Sequence, residues 1–199
     1  MYTEDYVMEE VKKLQYLYAL KKEIRYAQKR EDNDPTESVA EHIYGMHILA
    51  SYFLPLENPG LDWDKGKILE MITFHDIDEI ETGDMIGYLK TASMRSGEVD
   101  TMQKVCEKMP VHMQGNVKGL VDGYDKQDVV EVRFVKALDK FEPLIHLYNQ
   151  TGRKLLNELM TTVSDSRRIK EPYFREFTVI NTYFSIIHKK MEREGYFLE

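Results

Sequence analysis

A chain of 199 residues, 42% hydrophobic and 11% aromatic, carries the apolar material for one packed domain and leaves little for a second. Its 27 basic against 35 acidic residues give a formal net charge of −8, the wrong sign for neutralising a run of nucleic-acid phosphates, so polymeric DNA or RNA is not the expected partner. A small anion stays open, because a divalent ion and one local cation override a global field at contact distance. Cys106 is the only cysteine, which excludes an internal disulfide and a cysteine-based zinc site and points to a reducing compartment. Met1 to Val11 is acidic and lacks the basic start and apolar run of a signal peptide, and no stretch approaches the ~20 apolar residues of a membrane span. The expected address is the cytoplasm, away from any membrane.

Only 6 prolines and 11 glycines punctuate the chain, and the apolar spacing between them is mostly helical, so the expectation is a single all-α domain of bundled helices with no strand. The first helix is placed at about Tyr6 to Gln28, with Val7, Val11, Leu14 and Tyr18 on one stripe and Leu17, Leu20 and Ile24 beside it. A polar loop, Lys29 to Thr36, follows; Ser38 or Thr36 can cap the next helix, with Glu41 three residues after Ser38. That helix carries His42, Met46, Leu49 and Phe53 and breaks at Pro55 and the Asn58-Pro59-Gly60 turn. A third begins near Asp62 or Asp64, holds Ile68, Ile72, His75 and Glu79, and stops at Gly83. Tyr88 to Gly97 reads as a loop suited to a flap. Glu98 to Met109 and Val111 to Val121 are shorter helices divided by Pro110, Val129 to Tyr148 is a strong one, and the last, Pro172 to Met191, buries Phe177, Ile180, Phe184 and Ile187.

Thr73-Phe74-His75-Asp76-Ile77-Asp78-Glu79 sets an imidazole beside a carboxylate, with a second carboxylate three residues after Asp76 and four after His75. Those spacings share one helix face. Neighbouring residues differ by ~100° around a helix, but the longer reach of the imidazole lets His75 and Asp76 converge on one ion while Glu79 lies a turn further on. His42, on a preceding helix, and Asp139, between Leu138 and Phe141 on an otherwise apolar helix, can complete the shell. Singly, each has a bland reading: His42 a core histidine, Asp139 a solvated neighbour of Lys140, Glu79 one exposed acid beside Asp78 and Glu81, Arg25 one more surface cation. Their joint occurrence favours the metal. His47, His112, His146 and His188 read as structural or surface residues, and the aromatic stripe from Tyr173 to Tyr183 as core or a subunit interface.

Ala40-Glu41-His42, then His75-Asp76, then Glu79 followed by Thr82-Gly83-Asp84, and later Val135-Lys136-Ala137-Leu138-Asp139 together resemble the HD-domain superfamily. Within it the likeness is to the bacterial 5′-deoxynucleotidases and related HD-domain-containing proteins, over about Ile24 to Tyr148. A lone His-Asp pair is weak evidence; the ordered set is far more specific. The resemblance implies an HD-type helical bundle over 1–199, its metal-site core about 24–148, with C-terminal helices 152–195 completing the bundle or an interface. It implies a phosphohydrolase that releases phosphate from (deoxy)nucleoside 5′-monophosphates, and a homodimer. His42, His75, Asp76 and Asp139 match the metal ligands, Glu79 the residue handling the proton of the attacking water, and Asp84 a contact to the sugar hydroxyl. Arg25 and Tyr26 match an Arg-aromatic pair that holds the phosphate and lines the sugar side, where Trp is more usual than Tyr.

Two imidazoles and two carboxylates leave an octahedral ion room for a water and a phosphate oxygen, and mixed nitrogen and oxygen donors favour manganese, cobalt, iron, nickel or zinc over magnesium. Dinuclear relatives place two further histidines before the last Asp; this chain has only His112 in that interval, so one metal is expected. The rival within enzymes is a hydrolase of nucleoside di- or triphosphates or a modified nucleotide, for which Lys90, Arg95 and Lys104 can supply charge. The rival outside them is a non-catalytic metal-binding regulatory module, which would have no need of Glu79 and Asp84.

Overall fold

The computed structural model of the chain describes residues 4–28, 30, 36–84 and 101–198. Among these residues it is all-α: there is no sheet, only the isolated bridges Ile24 with Ser38 and Thr162 with Leu198. The helices are α1 (Glu4–Leu17), α2 (Val39–Phe53), α3 (Lys65–Phe74), α4 (Glu79–Thr82), α5 (101–108), α6 (Val111–Lys126), α7 (Val130–His146), α8 (Gln150–Glu158), α9 (Val163–Phe174) and α10 (Thr178–Arg193). No described helix is long and apolar enough to cross a membrane. Two compact units are distinguished, one of Met1–Ile43 with Glu70–Lys126, the other of Tyr44–Leu69 with Gln127–Glu199. The expected flap from Tyr88 to Gly97 lies outside the described residues.

In the first unit Leu20, Val39, Ile77, Met102, Val105, Met109 and Val117 form the buried core. The first helix is shorter than its periodicity predicts. It ends at Leu17, and a 3₁₀ turn (Tyr18–Lys21), an extended Ile24 and a second 3₁₀ turn (Arg25–Ala27) follow. Nothing in α1 is fully buried: Val7, Leu14 and Tyr18 of the expected stripe are exposed, and the helix packs on the core through Tyr16 and Leu17 of its last turn. Backbone pairing draws the chain out of it instead: Arg25 N donates to Glu37 O at 3.0 Å and Val39 N to Glu23 O at 2.9 Å. The capping box on α2 forms as the sequence suggests, with Ser38 N donating to Glu41 Oε2 at 2.6 Å and Glu41 N to Ser38 Oγ at 3.3 Å.

The second unit is built on phenylalanine. Phe53, Phe134, Phe141, Phe174, Phe177 and Phe184 are fully buried, and edge-on or tilted contacts run from Phe53 to Phe141 (5.3 Å), Phe174 (6.1 Å further) and Phe184 (4.8 Å). The expected last helix from Pro172 is in fact two. Pro172 sits inside α9, whose start is capped by Thr162 accepting from Asp165 N at 3.1 Å. The chain then turns so that Phe174 and Phe177 are both buried, and a new helix begins where Glu57 Oε1 accepts Ile180 N at 2.6 Å. Helix α8 is tied down by Asn149 Oδ1, which accepts Gly152 N at 2.8 Å; a Cβ on Gly152 would lie 2.1 Å from Leu147 O, so only glycine fits this close approach.

His188, read from sequence as structural or surface, is fully buried on α10, stacked on Phe197 at 4.6 Å and against Phe184 at 5.1 Å, and neither ring nitrogen has a hydrogen-bond partner among the described residues. Burial, reinforced by Arg167 and Lys170 and opposed by Glu171, pushes its pKa down to about 4. An unfolded histidine titrates near 6.5, so the unfolded chain binds the extra proton first. The stability this residue contributes is therefore complete above about pH 6.5 and is lost as pH falls towards 4, by up to about 3 kcal/mol. Thermal unfolding followed from pH 7 to pH 4 should show the loss in the native chain and a flatter profile in His188→Phe, which keeps the stacking.

Candidate metal centre

His42 lies in the first turn of α2, fully buried, with its entry fixed by the Ser38–Glu41 box. His75 and Asp76 depart from expectation in a way that shapes the site: they follow the end of α3 at Phe74 and occupy turns before α4, rather than the middle of one helix. His75 N still bonds Met71 O at 2.9 Å, four residues back. From Ile77 the ladder tightens to three, with Ile77 N to Phe74 O and Glu79 N to Asp76 O both at 3.1 Å. Three residues per turn eclipses positions i and i+3, which sets Asp76 and Glu79 on one edge.

One ligand atom from each of His42, His75 and Asp76 lies within 4.8 Å of the others, and the two imidazole centroids are 5.7 Å apart. These donors fit a divalent transition metal on a specific observation. His75 Nδ1 donates to Ile72 O at 2.9 Å, which fixes the ring orientation and turns Nε2 into the cluster. That Nε2 is buried and lies 3.0 Å from Asp76 Oδ2. A separation of about 3 Å between an imidazole nitrogen and a carboxylate oxygen is what two neighbouring ligands of one divalent ion adopt. Tyr124 of α6 packs edge-on to the His75 ring at 5.3 Å, walling that side; nothing in its sequence surroundings marked it.

Glu79 is buried, and burial together with the negative field of Asp76 and Asp84, partly opposed by Arg25, holds its carboxyl well above the usual carboxylate range. Arg25 is buried too. Burial works against its charge, but Tyr26, Glu37, Asp84 and Asp76 more than offset this and keep it firmly cationic. Its Nη1 donates to Glu37 Oε1 at 2.8 Å and its Nε to Asp84 Oδ1 at 3.4 Å. Tyr26 takes a left-handed backbone, φ 63° and ψ 24°, held by its N–H donating to Asp84 Oδ2 at 2.7 Å, and its ring centroid is 5.0 Å from the Arg25 guanidinium carbon. Arg25, Tyr26 and Asp84 are thus gathered as the sequence suggests. Glu37 and Glu23, which accepts Asp84 N at 3.4 Å, were missed; an acid just before a helix cap carries no distinguishing signal.

Asp139 stands on α7 in the second unit, nearly buried at 8% exposure, with Lys140 Nζ 2.8 Å and Lys136 Nζ 3.9 Å from its Oδ2. Of the cations considered for a larger substrate, Lys104 is exposed on α5, while Lys90 and Arg95 lie outside the described residues.

The HD-domain family model matches residues 17–179, and the chain belongs to the HD-domain family. Among curated proteins it is similar to the 5′-deoxynucleotidase YGK1 of Saccharomyces cerevisiae, 27% identical over 142 residues, which cover 66% of this chain and 64% of that protein. It is also similar to the 5′-deoxynucleotidase HDDC2 of Bos taurus, 26% identical and covering 59% and 58%. The chain therefore spans about three fifths of the length of these relatives. Among solved structures, one described as a predicted metal-dependent phosphohydrolase from Magnetospirillum magnetotacticum superposes with a TM-score of 0.83 over 100% of both chains at 18% identity. An HD-domain phosphohydrolase from Listeria innocua gives 0.59 over 92% and 90% at 19% identity. At such identities these two bear on the fold alone, and the fold is the HD type.

Proposed function

We propose that this chain is a metal-dependent phosphomonoester hydrolase that releases phosphate from nucleoside, in particular deoxynucleoside, 5′-monophosphates. The observation that carries the reading is the convergence of two buried imidazoles and Asp76 within 4.8 Å, in the same unit as a buried Arg25 and a buried Glu79 that both feel the Asp76 charge. The names of the curated relatives support the substrate class. His42, His75 and Asp76 would hold one divalent ion of manganese, cobalt, iron, nickel or zinc; the ordered sequence motif assigns the fourth ligand to Asp139. Such an ion, when bound, supplies Lewis acidity towards a phosphoryl oxygen and lowers the pKa of water.

The chain's own groups do the rest. Arg25 presents a fixed cationic fork to the phosphoryl oxygens. Tyr26 lines the sugar side, and Asp84 both anchors the Tyr26 turn and, by the family resemblance, meets the sugar hydroxyl. Glu79 takes a proton from the attacking water at its carboxylate, so that a phosphomonoester and water become an alcohol and inorganic phosphate. A panel of nucleoside mono-, di- and triphosphates assayed with manganese or cobalt, with and without chelator, tests this. Inorganic phosphate from monophosphates, abolished by chelator, is the expected result. Pyrophosphate release would transfer the assignment to the triphosphate rival, and no turnover with any nucleotide would leave only the binding-module reading.

A further inference from the structure

We propose that Glu37 is a positioning residue that sets the direction of the Arg25 guanidinium, and through it the fit of a phosphate group; this rests on the reading of Arg25 as the phosphate clamp. Glu37 is buried, 4% exposed, and its Oε1 accepts Arg25 Nη1 at 2.8 Å. The same two residues are joined through the backbone, Arg25 N donating to Glu37 O at 3.0 Å. One residue thus holds both ends of Arg25, main chain and guanidinium. Asp84 meets the Nε edge at 3.4 Å, so the fork is braced from two sides and cannot swing about its long, otherwise mobile side chain.

Glu37 also ties that fork to the metal side of the site. Ser38 follows it, pairs with Ile24, and opens the capping box from which His42 projects within the first turn of α2. The spacing between the anion-binding cation and the first imidazole is therefore set over a short and rigid path: Arg25, Glu37, Ser38, His42. A carboxylate placed here raises no catalytic rate by itself. It removes the orientational freedom that a phosphate would otherwise have to freeze out on binding.

Two conservative variants separate reach from charge. Glu37→Gln keeps the length and an acceptor oxygen for Nη1; Glu37→Asp keeps the charge but retreats by one methylene. The probe is inorganic phosphate titrated calorimetrically into manganese-loaded protein, alongside KM and kcat for a deoxynucleoside monophosphate. We expect Glu37→Asp to weaken phosphate binding and raise KM about tenfold with kcat little changed, and Glu37→Gln to stay within about threefold. In an Arg25→Ala background neither change should have a further effect. Metal content should match the native protein throughout. The inference is overturned if Glu37→Asp binds phosphate as the native protein does, if Glu37→Gln is the worse of the two, or if the losses add to that of Arg25→Ala. A native protein that binds phosphate but turns over no nucleotide would defeat the functional reading alone, with Glu37 still decided by the titrations. One that binds no phosphate defeats both.

Discussion

Glu79→Gln is expected to lower turnover by about 10²–10⁴-fold while the bound metal stays at its native level. The substitution is nearly isosteric at a site only 8% exposed, so it opens no cavity, and it removes a single capacity, that of the side chain to take up and release a proton. Without a bound cation, burial and the charges of Asp76 and Asp84 favour the protonated, neutral form, which the amide mimics, so the fold should not weaken. The neighbouring acid Glu81 gives the contrast. It is exposed and engaged by Lys108 Nζ at 2.6 Å and Tyr16 Oη at 2.7 Å, and Glu81→Gln should leave turnover near the native rate. Phosphate release by the two variants, with metal analysis on the same samples, decides the matter: a fully active Glu79→Gln ends the proton-transfer assignment.

His75→Ala should abolish metal binding and turnover together. Its ring is oriented by the Ile72 carbonyl and its Nε2 faces Asp76 in the cluster, so removal deletes a donor rather than shifting it. The expected loss of affinity exceeds the roughly 10–100-fold that deleting an outer partner of a ligand costs. Added manganese should stabilise the native protein against heat, by about 2.7 kcal/mol at a hundred times the dissociation constant. That gain should vanish in His75→Ala, in His42→Ala and, if the sequence motif assigns the fourth ligand correctly, in Asp139→Asn. A His75→Ala protein that retains metal at native affinity would remove the centre from this position.

Much of this was written plainly in the chain. The Ser38–Glu41 box, the stop at Phe53 and the burial of Leu138 and Phe141 follow from local chemistry, which tertiary packing reinforces. The gathering of Arg25, Tyr26 and Asp84 was legible only through resemblance, because no periodicity links residues almost sixty apart. Where the reading went astray, the apolar spacing was right and the backbone was not. His75 to Glu79 keeps its i, i+4 relation whether the segment is a continuous helix or a run of tight turns, so the break after Phe74 leaves no mark in the pattern. The same holds at Arg175 to Phe177, where two buried phenylalanines three apart suit either a helix or a bend. Helix α1 departs for the opposite reason: Val7, Leu14 and Tyr18 of its apolar stripe stay exposed among the described residues.

The short backbone pairing that joins residues 23–25 to 37–39 has a corollary for the length of the stretch between them. With both ends of the intervening stretch clamped, its length is decoupled from the geometry on either side, and lengthening a clamped loop raises the closure entropy only by about 0.6 kcal/mol per doubling. Changes in chain length between residues 28 and 36 should therefore leave the start of α2, and His42 with it, where the pairing holds them.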